Sequence, residues 1–528
     1  MKDKKTVYVT EFSVRASSQD LSKVKVRMQL ATKLYNSILG VGLKRLDVMR
    51  KDPSYSPLMD GLRVINKSLK LAEKKGEKKK ISALKKEKKP ISGELNALRK
   101  SYLLTKYDLI KSVTPMRVNC YFNQHISSKV AQGLATRAWD AIERHMFSGF
   151  GRPRFKSKHR PVRSLEVNAH ESIMVKMGST KKPTRLIWQG IEAPLNLLAD
   201  RDTDGYQGNV LSDIQSNKIK YNRVILRTVK GKERLYVQSV ISGLAPQKQK
   251  HLDGQAKAKG RRVAFDIGVN SIAIYSETEA KLLGFVADIK KLDGKLAKLQ
   301  RKSARIQRLL NADNYQRVAK VRGRKTVHIW QRKKGTRDTV KSNHWHKINS
   351  QIVELHRLLA AKRKQYHDII ANDILALGDE IVTEKVSVKG WQKMFGKSIN
   401  AFAPSGLITT IKRKAENADA KFEFINTVKA RLSQYNHETD QYIKKSLSAR
   451  WTKVDGEWYQ RDLYSAYLAW CICDSRLTVE RTKAITHWSS ARQHLDAAAQ
   501  HVTQHANRTE FFGSSAGLQR PPVEPVAA

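Results

Sequence analysis

Three acidic residues occur in contexts that suit a metal-dependent phosphodiesterase. Asp266 follows the apolar run 263–265, Glu384 follows the apolar run 381–383, and Asp462 opens a helical pattern. Hydrolysis of a phosphodiester by two metals needs several carboxylates in a small volume, where two hard cations about 4 Å apart activate water and stabilise the leaving oxygen. Mg²⁺ prefers oxygen ligands and keeps some of its waters, so carboxylates suffice. The three residues are far apart in the chain, and only a fold can bring them together.

Each of these acids also has an ordinary explanation. An Asp that precedes a glycine at the end of a strand commonly forms a turn, as the Asp266-Ile-Gly268 segment would. An Asp at the start of a helix commonly caps it, as Asp462 would. The residue pattern alone therefore leaves both the catalytic and the structural interpretation open.

The charge of the chain indicates a polyanionic partner. Lys and Arg number 101 against 48 Asp and Glu, which gives a net charge of +53 over 528 residues. So basic a protein repels itself unless an anion neutralises it, and a phosphate backbone adds the gain from counterion release. An anionic membrane is the alternative, but no apolar run approaches the roughly 18 residues of a spanning helix. We therefore predict a nucleic-acid partner and no membrane.

The beginning of the chain and its cysteines bear on localisation. The first residues, Met1-Lys-Asp-Lys-Lys5, lead into a short alternating stretch and not into an apolar signal segment. Three cysteines, Cys120, Cys471 and Cys473, are too few for a disulfide framework and are typical of a reducing compartment. We expect a cytoplasmic, nucleoid-associated prokaryotic protein.

A basic segment that contains an aromatic residue is a second candidate site. Residues 149–158, GFGRPRFKSK, follow a helical stretch and precede a strand-rich one. A solvated loop is the simple interpretation, but an aromatic ring among cations suits base stacking and phosphate contact better. The predicted nucleic-acid contacts here are Arg152, Arg154, Phe155, Lys156 and Lys158.

Three segments resemble the RuvC motifs of TnpB proteins. VAFDIGVNSIAIYS (263–276) is similar to the first motif, IVTEKVSVKGW (381–391) to the second and QRDLYSAYLA (460–469) to the third. The resemblance extends in order from about Thr6 to Cys473. It includes GFGRPRFKSK, which is similar to the entry into the oligonucleotide-binding β-domain of the family. Type V CRISPR effectors share this core, so the motifs do not separate the two groups, nor a transposon from a CRISPR context.

The resemblance implies an α+β, bilobed, multidomain fold. In the first half of the chain it predicts the first strand of a wedge β-barrel (1–15), a helical recognition domain (16–145) and the oligonucleotide-binding-like wedge barrel (146–250). In the second half it predicts an RNase H-like RuvC domain with a basic helical insertion (251–434), a zinc-ribbon-like insert (435–459), the end of the RuvC domain (460–488) and a mostly disordered tail (489–528).

The resemblance also implies a function. Asp266, Glu384 and Asp462 become the metal-binding catalytic residues, with Mg²⁺ or Mn²⁺ as the cofactor. Lys389, Arg450 and Arg461, in or beside the second and third motifs, become nucleic-acid contacts. The implied partners are a guide RNA and a target double-stranded DNA, with the protein reading a short duplex motif beside the target.

One departure concerns the zinc ribbon that relatives carry between the second and third motifs. Residues 435–459 contain no cysteine, and a structural zinc site needs about four nitrogen or sulfur ligands, which His437 alone cannot supply. We predict a metal-free ribbon whose Trp451 and Trp458 form a small apolar core, and no bound zinc. Elemental analysis of the purified protein is expected to find far less than one zinc per chain.

Two other functions remain open at this stage. The first is an RNA-guided protein that binds DNA with little or no cleavage and acts by repression or interference. The second is an RNA-binding protein that uses no guide.

Overall fold

The computed structural model describes residues 6–505 except 158–159, 169–171, 181, 199–201, 203–204, 217, 270, 285–286, 323–324, 389, 393–395, 397–398, 400–401 and 447–448. The chain is a mixed α+β protein of two compact units, Met1–Pro246 and Gln247–Ala528. Within the described ranges, no helix has both the length and the apolar character to cross a membrane.

The first unit contains a strand, five helices and a strand-rich segment. Its elements are β1 (Val7–Val14), α1 (Ser18–Met49), α2 (Tyr55–Lys75), α3 (Lys78–Ser101), α4 (Lys106–Asn119), α5 (Ser128–Phe147), β2 (Ser164–Asn168), β3 (Met174–Lys176), β4 (Arg185–Ile187), β5 (Glu192–Pro194), α6 (Tyr206–Gln215), β6 (Ile219–Val229) and β7 (Lys232–Ser242).

Helix α1 illustrates how the sequence forms these elements. Its first turn is closed by a capping box, in which the Ser17 hydroxyl accepts from the Asp20 amide and the Asp20 carboxylate accepts from the Ser17 amide. Buried residues such as Val24, Met28 and Ala31 then recur every three or four positions and face the core. Helices α2 and α3 pack against each other as an antiparallel pair, and the turn between them uses Gly76 at φ +71°.

The predicted wedge β-barrel is wrong as a closed structure. The strands form an open antiparallel sheet in the order β1-β7-β6-β2 and a separate sheet in the order β3-β4-β5. A single bridge, Val14 to Leu195, pairs the two sheets within the described residues. Closure needs tilted, staggered strands, and β3, β4 and β5 have only three residues each, or about 10 Å.

The second unit contains the remaining elements. They are α7 (Gln249–Lys257), β8 (Arg262–Ile267), β9 (Ser271–Ser276), β10 (Ala280–Gly284), α8 (Ala287–Leu310), β11 (Tyr315–Arg322), β12 (Lys325–Arg332), α9 (Asn343–Leu375), β13 (Glu380–Glu384), α10 (Pro404–Asn417), β14 (Lys421–Ile425), α11 (Thr427–Ala430), β15 (Tyr435–Asn436), β16 (Gln441–Tyr442), β17 (Trp451–Val454), β18 (Glu457–Gln460), α12 (Arg461–Trp470), α13 (Arg481–Thr486) and α14 (Trp488–His505).

A five-stranded sheet in the order β10-β9-β8-β13-β14 is the centre of this unit. Strands β10, β9 and β8 pair antiparallel, while β8, β13 and β14 are parallel. One face packs on α9 and α10 and the other on α12 and α14. Because both faces are covered, apolar residues occupy consecutive positions in the inner strands, and all six residues of β9 are buried.

The basic insertion consists of α8 and α9, which pack on each other through Ile289, Leu296 and Leu359. Both helices were expected from the sequence. The hairpin of β11 and β12 between them was not, although its residues alternate around Gly323 in the sequence. Most of the hairpin is solvent-exposed, so its strands lack the apolar runs that the sequence analysis relied on.

The tail, predicted to be mostly disordered after a possible short helix, begins with a helix of 18 residues. Residues 488–505 form α14, which buries Trp488, Ala491, Leu495 and Ala498 against the central sheet and α12. These residues are spaced by three or four, which is the period of a helix with one apolar face. The remaining part of the predicted tail, 506–528, lies outside the described residues.

Candidate active site

Asp266 and Glu384 occupy adjacent positions at the ends of two parallel strands. Thr383 of β13 pairs with Phe265 of β8, so Asp266 and Glu384 are the next position in the register. Neighbouring strands are about 4.8 Å apart, and the two backbones therefore carry the carboxylates side by side. The Thr383 hydroxyl donates to the Phe265 carbonyl at 2.8 Å and holds the strands together just before this point.

Both carboxylates belong to the sheet face that α12 covers. Ala264 and Val382, two positions earlier in each strand, are buried in the core shared with α12. Side chains two residues apart in a strand lie on the same face. Asp266 and Glu384 are therefore on the side of the sheet where Asp462 lies.

Helix α12 brings Asp462 to the same end of the sheet. Near its C-terminus, the Trp470 indole N–H donates to the carbonyl of Arg262, the first residue of β8, at 2.9 Å. Asp462 precedes Trp470 by eight helical residues, a distance of about 12 Å along the helix. Asp266 follows Arg262 by four strand residues, a distance of about 13 Å along the strand. The helix and the strand run in opposite directions, so the sequence-predicted trio meets at one end of the sheet.

The electrostatics agree with this convergence. Burial raises the pKa of Asp266 well above its usual range, and the negative charges of Asp462 and Glu384 raise it further, while Arg461 acts in the opposite direction. Burial raises the pKa of Glu384 to about 7. An Arg461 guanidinium nitrogen lies 3.5 Å from a carboxylate oxygen of Asp462. The site is thus an anionic cluster with one cation beside it.

The trio fits a hydrated divalent cation and not a closed protein cage. Among the described residues, no three His, Cys, Asp or Glu side chains are close enough to enclose a metal ion. Mg²⁺ usually keeps several waters and takes only one or two protein carboxylates. Three partly buried carboxylates whose charges oppose one another are a donor set that such an ion would neutralise.

An ionic network at the opposite end of the sheet fixes this arrangement. Arg262 donates to both oxygens of Glu380, at 2.9 and 3.1 Å, and to the Ile472 carbonyl at 2.8 Å. Arg476 contacts Glu380 and also Glu423, at 2.8 Å. The network joins β8, β13, β14 and the segment after α12. This network could not be predicted from the sequence, because its charged residues resemble solvent-facing ones until the fold brings them together.

Residues 149–157, the described part of the candidate nucleic-acid loop, are positioned by α1. The Asn36 side chain bonds the backbone of Lys156 in both directions at 2.8 Å, and the Lys156 ammonium lies 5.9 Å from the centre of the Tyr35 ring. The Phe155 ring rests against Gly40 and is 57% exposed. One ring face therefore remains open for a stacked base.

The other predicted contacts differ in their surroundings. Arg154 is exposed, whereas Arg152 makes a bidentate ion pair with Asp47 at 2.7 and 2.8 Å. In the second unit, Arg450 is exposed and its carbonyl accepts from the Arg461 amide at 2.8 Å. Two of the predicted contacts, Lys158 and Lys389, lie outside the described residues.

Replacing Phe155 with Leu is expected to weaken binding of single-stranded nucleic acid about tenfold, because an aromatic–base stack contributes about 1–3 kcal/mol. The slope of affinity against salt should not change, since no phosphate contact is lost. Fluorescence anisotropy across a salt series measures both quantities. Phe150→Leu, at a 61% exposed ring in the same loop, is the matched control. Equal losses in the two variants would argue against a stacking role for Phe155.

The ribbon-like insert has an aromatic core of a different composition from the one predicted. Trp451 and Trp458 are only partly buried. The buried centre is His437, whose ring lies 4.7 Å from that of Trp488, and Tyr459 packs on the same tryptophan at 4.9 Å. The prediction was wrong because Trp488 of α14, beyond the insert in sequence, supplies the ring that fills this space.

The His437 imidazole is held in its neutral form. Its backbone amide donates to the Tyr464 hydroxyl at 3.2 Å, and that hydroxyl is 2.7 Å from the ring Nδ1. Burial lowers the pKa of His437 to about 4.

This lowered pKa predicts a pH-dependent loss of stability. The unfolded chain protonates His437 near pH 6.5, so its contribution is complete above that pH and is lost as the pH falls towards 4. At about 1.4 kcal/mol per pKa unit, the loss is about 3 kcal/mol. His437→Asn should lack this component in unfolding curves at pH 7 and pH 4. A variant of the exposed His356 should behave as wild type, and an unchanged pH dependence in His437→Asn would refute the assignment.

Comparison with known proteins finds likenesses among solved structures. No family model matches the chain, and no curated protein matches it. Among solved structures, a chain described as a cryo-EM structure of the Cas12f1–sgRNA–target DNA complex aligns with a TM-score of 0.41 and 10% sequence identity. The alignment covers 88% of this chain and 98% of that one.

Proposed function

We propose that this protein is an RNA-guided DNA endonuclease with an RNase H-like, RuvC-type centre formed by Asp266, Glu384 and Asp462. The observation that carries the proposal is that three carboxylates from two parallel strands and a later helix meet on one face at one end of a sheet. A first strand, a later strand and a late helix are also the positions that the TnpB resemblance assigns to the catalytic acids.

The acidic residues and Arg461 would have different roles in catalysis. Asp266, Glu384 and Asp462 would hold Mg²⁺ or Mn²⁺, which supplies water activation and stabilisation of the leaving oxygen when bound. Their mutual repulsion, which raises the pKa of Asp266, is relieved by a divalent cation. Arg461, 3.5 Å from Asp462, orients that carboxylate and offers a positive charge beside the phosphate to be cut.

The net charge of +53 supports a long nucleic-acid partner. In the proposed activity, guide RNA pairs with one DNA strand, and the protein holds the heteroduplex through its backbone phosphates and reads a short flanking duplex motif. Such contacts depend on counterion release, so affinity should fall steeply with salt.

The experiment begins with the RNA that purifies with the protein. A guide complex is expected to carry one defined scaffold with variable ends, and sequencing gives the guide. The loaded protein is then incubated with matched plasmid, with and without Mg²⁺, and with a mismatched plasmid as control. Metal-dependent cutting of the matched plasmid alone supports the proposal, and heterogeneous RNA would instead indicate an unguided RNA-binding protein.

A second candidate function is guided DNA binding with little or no cleavage. The observation that favours it is that the three carboxylates, as they stand, do not enclose a metal. This candidate predicts a defined guide and tight, sequence-specific binding of the matched DNA, with no cutting at any Mg²⁺ or Mn²⁺ concentration.

A further inference from the structure

An open cavity of about 580 Å³ lies where α8, the base of the β11–β12 hairpin and the beginning of α9 meet. Its volume is within the range of small-ligand sites, roughly 300–1,000 Å³. The cavity contains none of the three carboxylates. We refer to it as the hairpin cavity, and the lining residues used below are Gln307, Tyr315, Arg332, Arg337, Lys341 and Trp345.

The walls of the hairpin cavity are held by a buried amide. Asn311 is 8% exposed, and its side-chain oxygen accepts from the backbone amides of Thr339 and Val340, both at 3.1 Å. Its side-chain nitrogen donates to the Val340 carbonyl at 3.0 Å. These bonds fix the segment between the hairpin and α9, so a ligand would find the site already formed.

The cavity combines cations with an aromatic ring. Arg332, Arg337 and Lys341 line it, and the Lys341 ammonium lies 5.1 Å from the centre of the Trp345 ring. The one acid, Asp338, accepts from the Tyr315 hydroxyl at 2.7 Å and lies 3.6 Å from Arg332. Two of the three cations therefore have no acidic partner within the cavity, which favours an anionic ligand with a flat ring.

A buried amide in the cavity lacks one partner. Gln307 is 8% exposed, and its side-chain nitrogen donates to the Val340 carbonyl at 3.3 Å, which fixes the orientation of the amide. Its side-chain oxygen has no hydrogen-bond donor within the described part of the chain. A buried acceptor left unpaired is costly. Every nucleobase has an N–H on its pairing edge that could satisfy it.

We propose that the hairpin cavity binds one unpaired nucleotide of a single-stranded nucleic acid. The base stacks on Trp345 in place of the Lys341 ammonium that lies over this ring, and it donates to Gln307. The displaced Lys341 then joins Arg332 and Arg337 around the phosphate. The inference rests on the proposed function only in that guided recognition of DNA supplies a single strand. Trp330, 53% exposed on the adjacent hairpin strand and paired with Arg317, offers the next stacking position outside the cavity.

The test uses the full-length protein and oligonucleotides of six nucleotides, which compete for binding in a fluorescence anisotropy assay. The probes are single-stranded RNA, single-stranded DNA and an abasic DNA of the same charge. Trp345→Leu is expected to weaken binding of at least one base-containing probe about tenfold and of the abasic probe less than twofold, because it removes a stack and no charge. Arg337→Gln is expected to weaken all three probes alike. Lys298→Gln, at an exposed cation of α8 outside the cavity, is the control.

Two further variants separate binding from folding. Trp345→Phe keeps a ring and should retain most of the base-dependent affinity. Gln307→Leu removes the unpaired acceptor and also a 3.3 Å bond to the Val340 carbonyl, which keeps its bond from Asn311. The thermal midpoint should therefore change little, while base-containing probes bind more weakly. A loss confined to RNA indicates a guide nucleotide, one confined to DNA indicates a target strand, and a loss with both indicates a sugar-independent site.

The inference is overturned if Trp345→Leu weakens the abasic probe as much as the others, or weakens none of them. This outcome is distinguishable from failure of the proposed function. A protein that cuts guided targets while Trp345→Leu binds all probes normally would lose the cavity assignment alone. A protein that never cuts but shows the base-dependent loss would lose the nuclease assignment alone.

Discussion

Asp266→Asn is expected to lower guided DNA cleavage by at least about a hundredfold while leaving target affinity nearly unchanged. The substitution keeps the shape of the side chain but removes a charged ligand, so the cation that activates water is lost or misplaced. Affinity is set by guide pairing and backbone contacts made elsewhere. Cleavage and gel-shift assays with the same guide measure the two quantities side by side.

In the metal-free protein, Asp266→Asn is expected to raise the free energy of unfolding, although it lowers cleavage. A carboxyl whose pKa is higher in the folded than in the unfolded chain contributes stability at low pH, which is lost as the pH rises through that pKa. The wild type should therefore be less stable than Asp266→Asn in chelator at pH 8, because burial and the neighbouring negative charges raise the pKa of Asp266. The difference should close as the pH approaches about 4. Addition of Mg²⁺ should stabilise the wild type more than the variant.

The control for Asp266 is Asp253→Asn, at an exposed carboxylate of the same unit. It should cut, bind and melt as wild type. If Asp266→Asn cuts as fast as wild type, the active-site assignment fails. If neither protein cuts and both bind, guided binding without cleavage becomes the better description.

Arg476→Met is expected to reduce the free energy of unfolding by about 3 kcal/mol or more. Arg476 is 7% exposed and contacts Glu380 and Glu423, whose pKa values are lowered by hydrogen bonds to Arg262, Arg476 and Lys421 against the effect of burial. Removing one partner of a buried ion pair leaves uncompensated charge, which typically costs about 3–5 kcal/mol. Denaturant unfolding of the full chain measures the loss.

Two further variants give this prediction its controls. Lys421→Met removes an exposed cation 3.3 Å from the same Glu423 and should cost no more than about 1 kcal/mol. Adding Glu423→Gln to Arg476→Met should recover part of the loss, because a neutral amide needs no counter-ion. Equal losses for Arg476→Met and Lys421→Met would show that the network contributes nothing beyond surface pairing.

The acids of the candidate site could be found from sequence because each follows or opens a short apolar element. The order of helical and strand-rich segments was readable for the same reason, since buried faces leave a period of two or of three to four residues. The contacts that bring the three acids together could not be predicted from the sequence. The register of β8 against β13 and the anchoring of α12 by Trp470 depend on contacts between residues distant in the chain.

The wrong predictions have physical causes of the same kind. The residues of the β11–β12 hairpin alternate in the sequence, but the hairpin is largely exposed and basic, so it lacks the apolar runs that indicate a buried strand. Closure of the wedge strands depends on the lengths of β3, β4 and β5, which weak local signals do not define. Trp451 and Trp458 were assigned to a core because the insert was considered alone, and Trp488 belongs to a helix beyond it. The domain roles assigned from the TnpB resemblance stay predictions.

Helix α14 has a consequence for how short a working version of this chain can be. The resemblance to TnpB ends near Cys473, and trimming there keeps every motif of that resemblance. The cut would nevertheless remove Trp488, Ala491 and Leu495, which cover one face of the central sheet and α12. His437 and Tyr459 would lose the ring on which they pack. A shortened version of this chain should therefore retain α14 through His505.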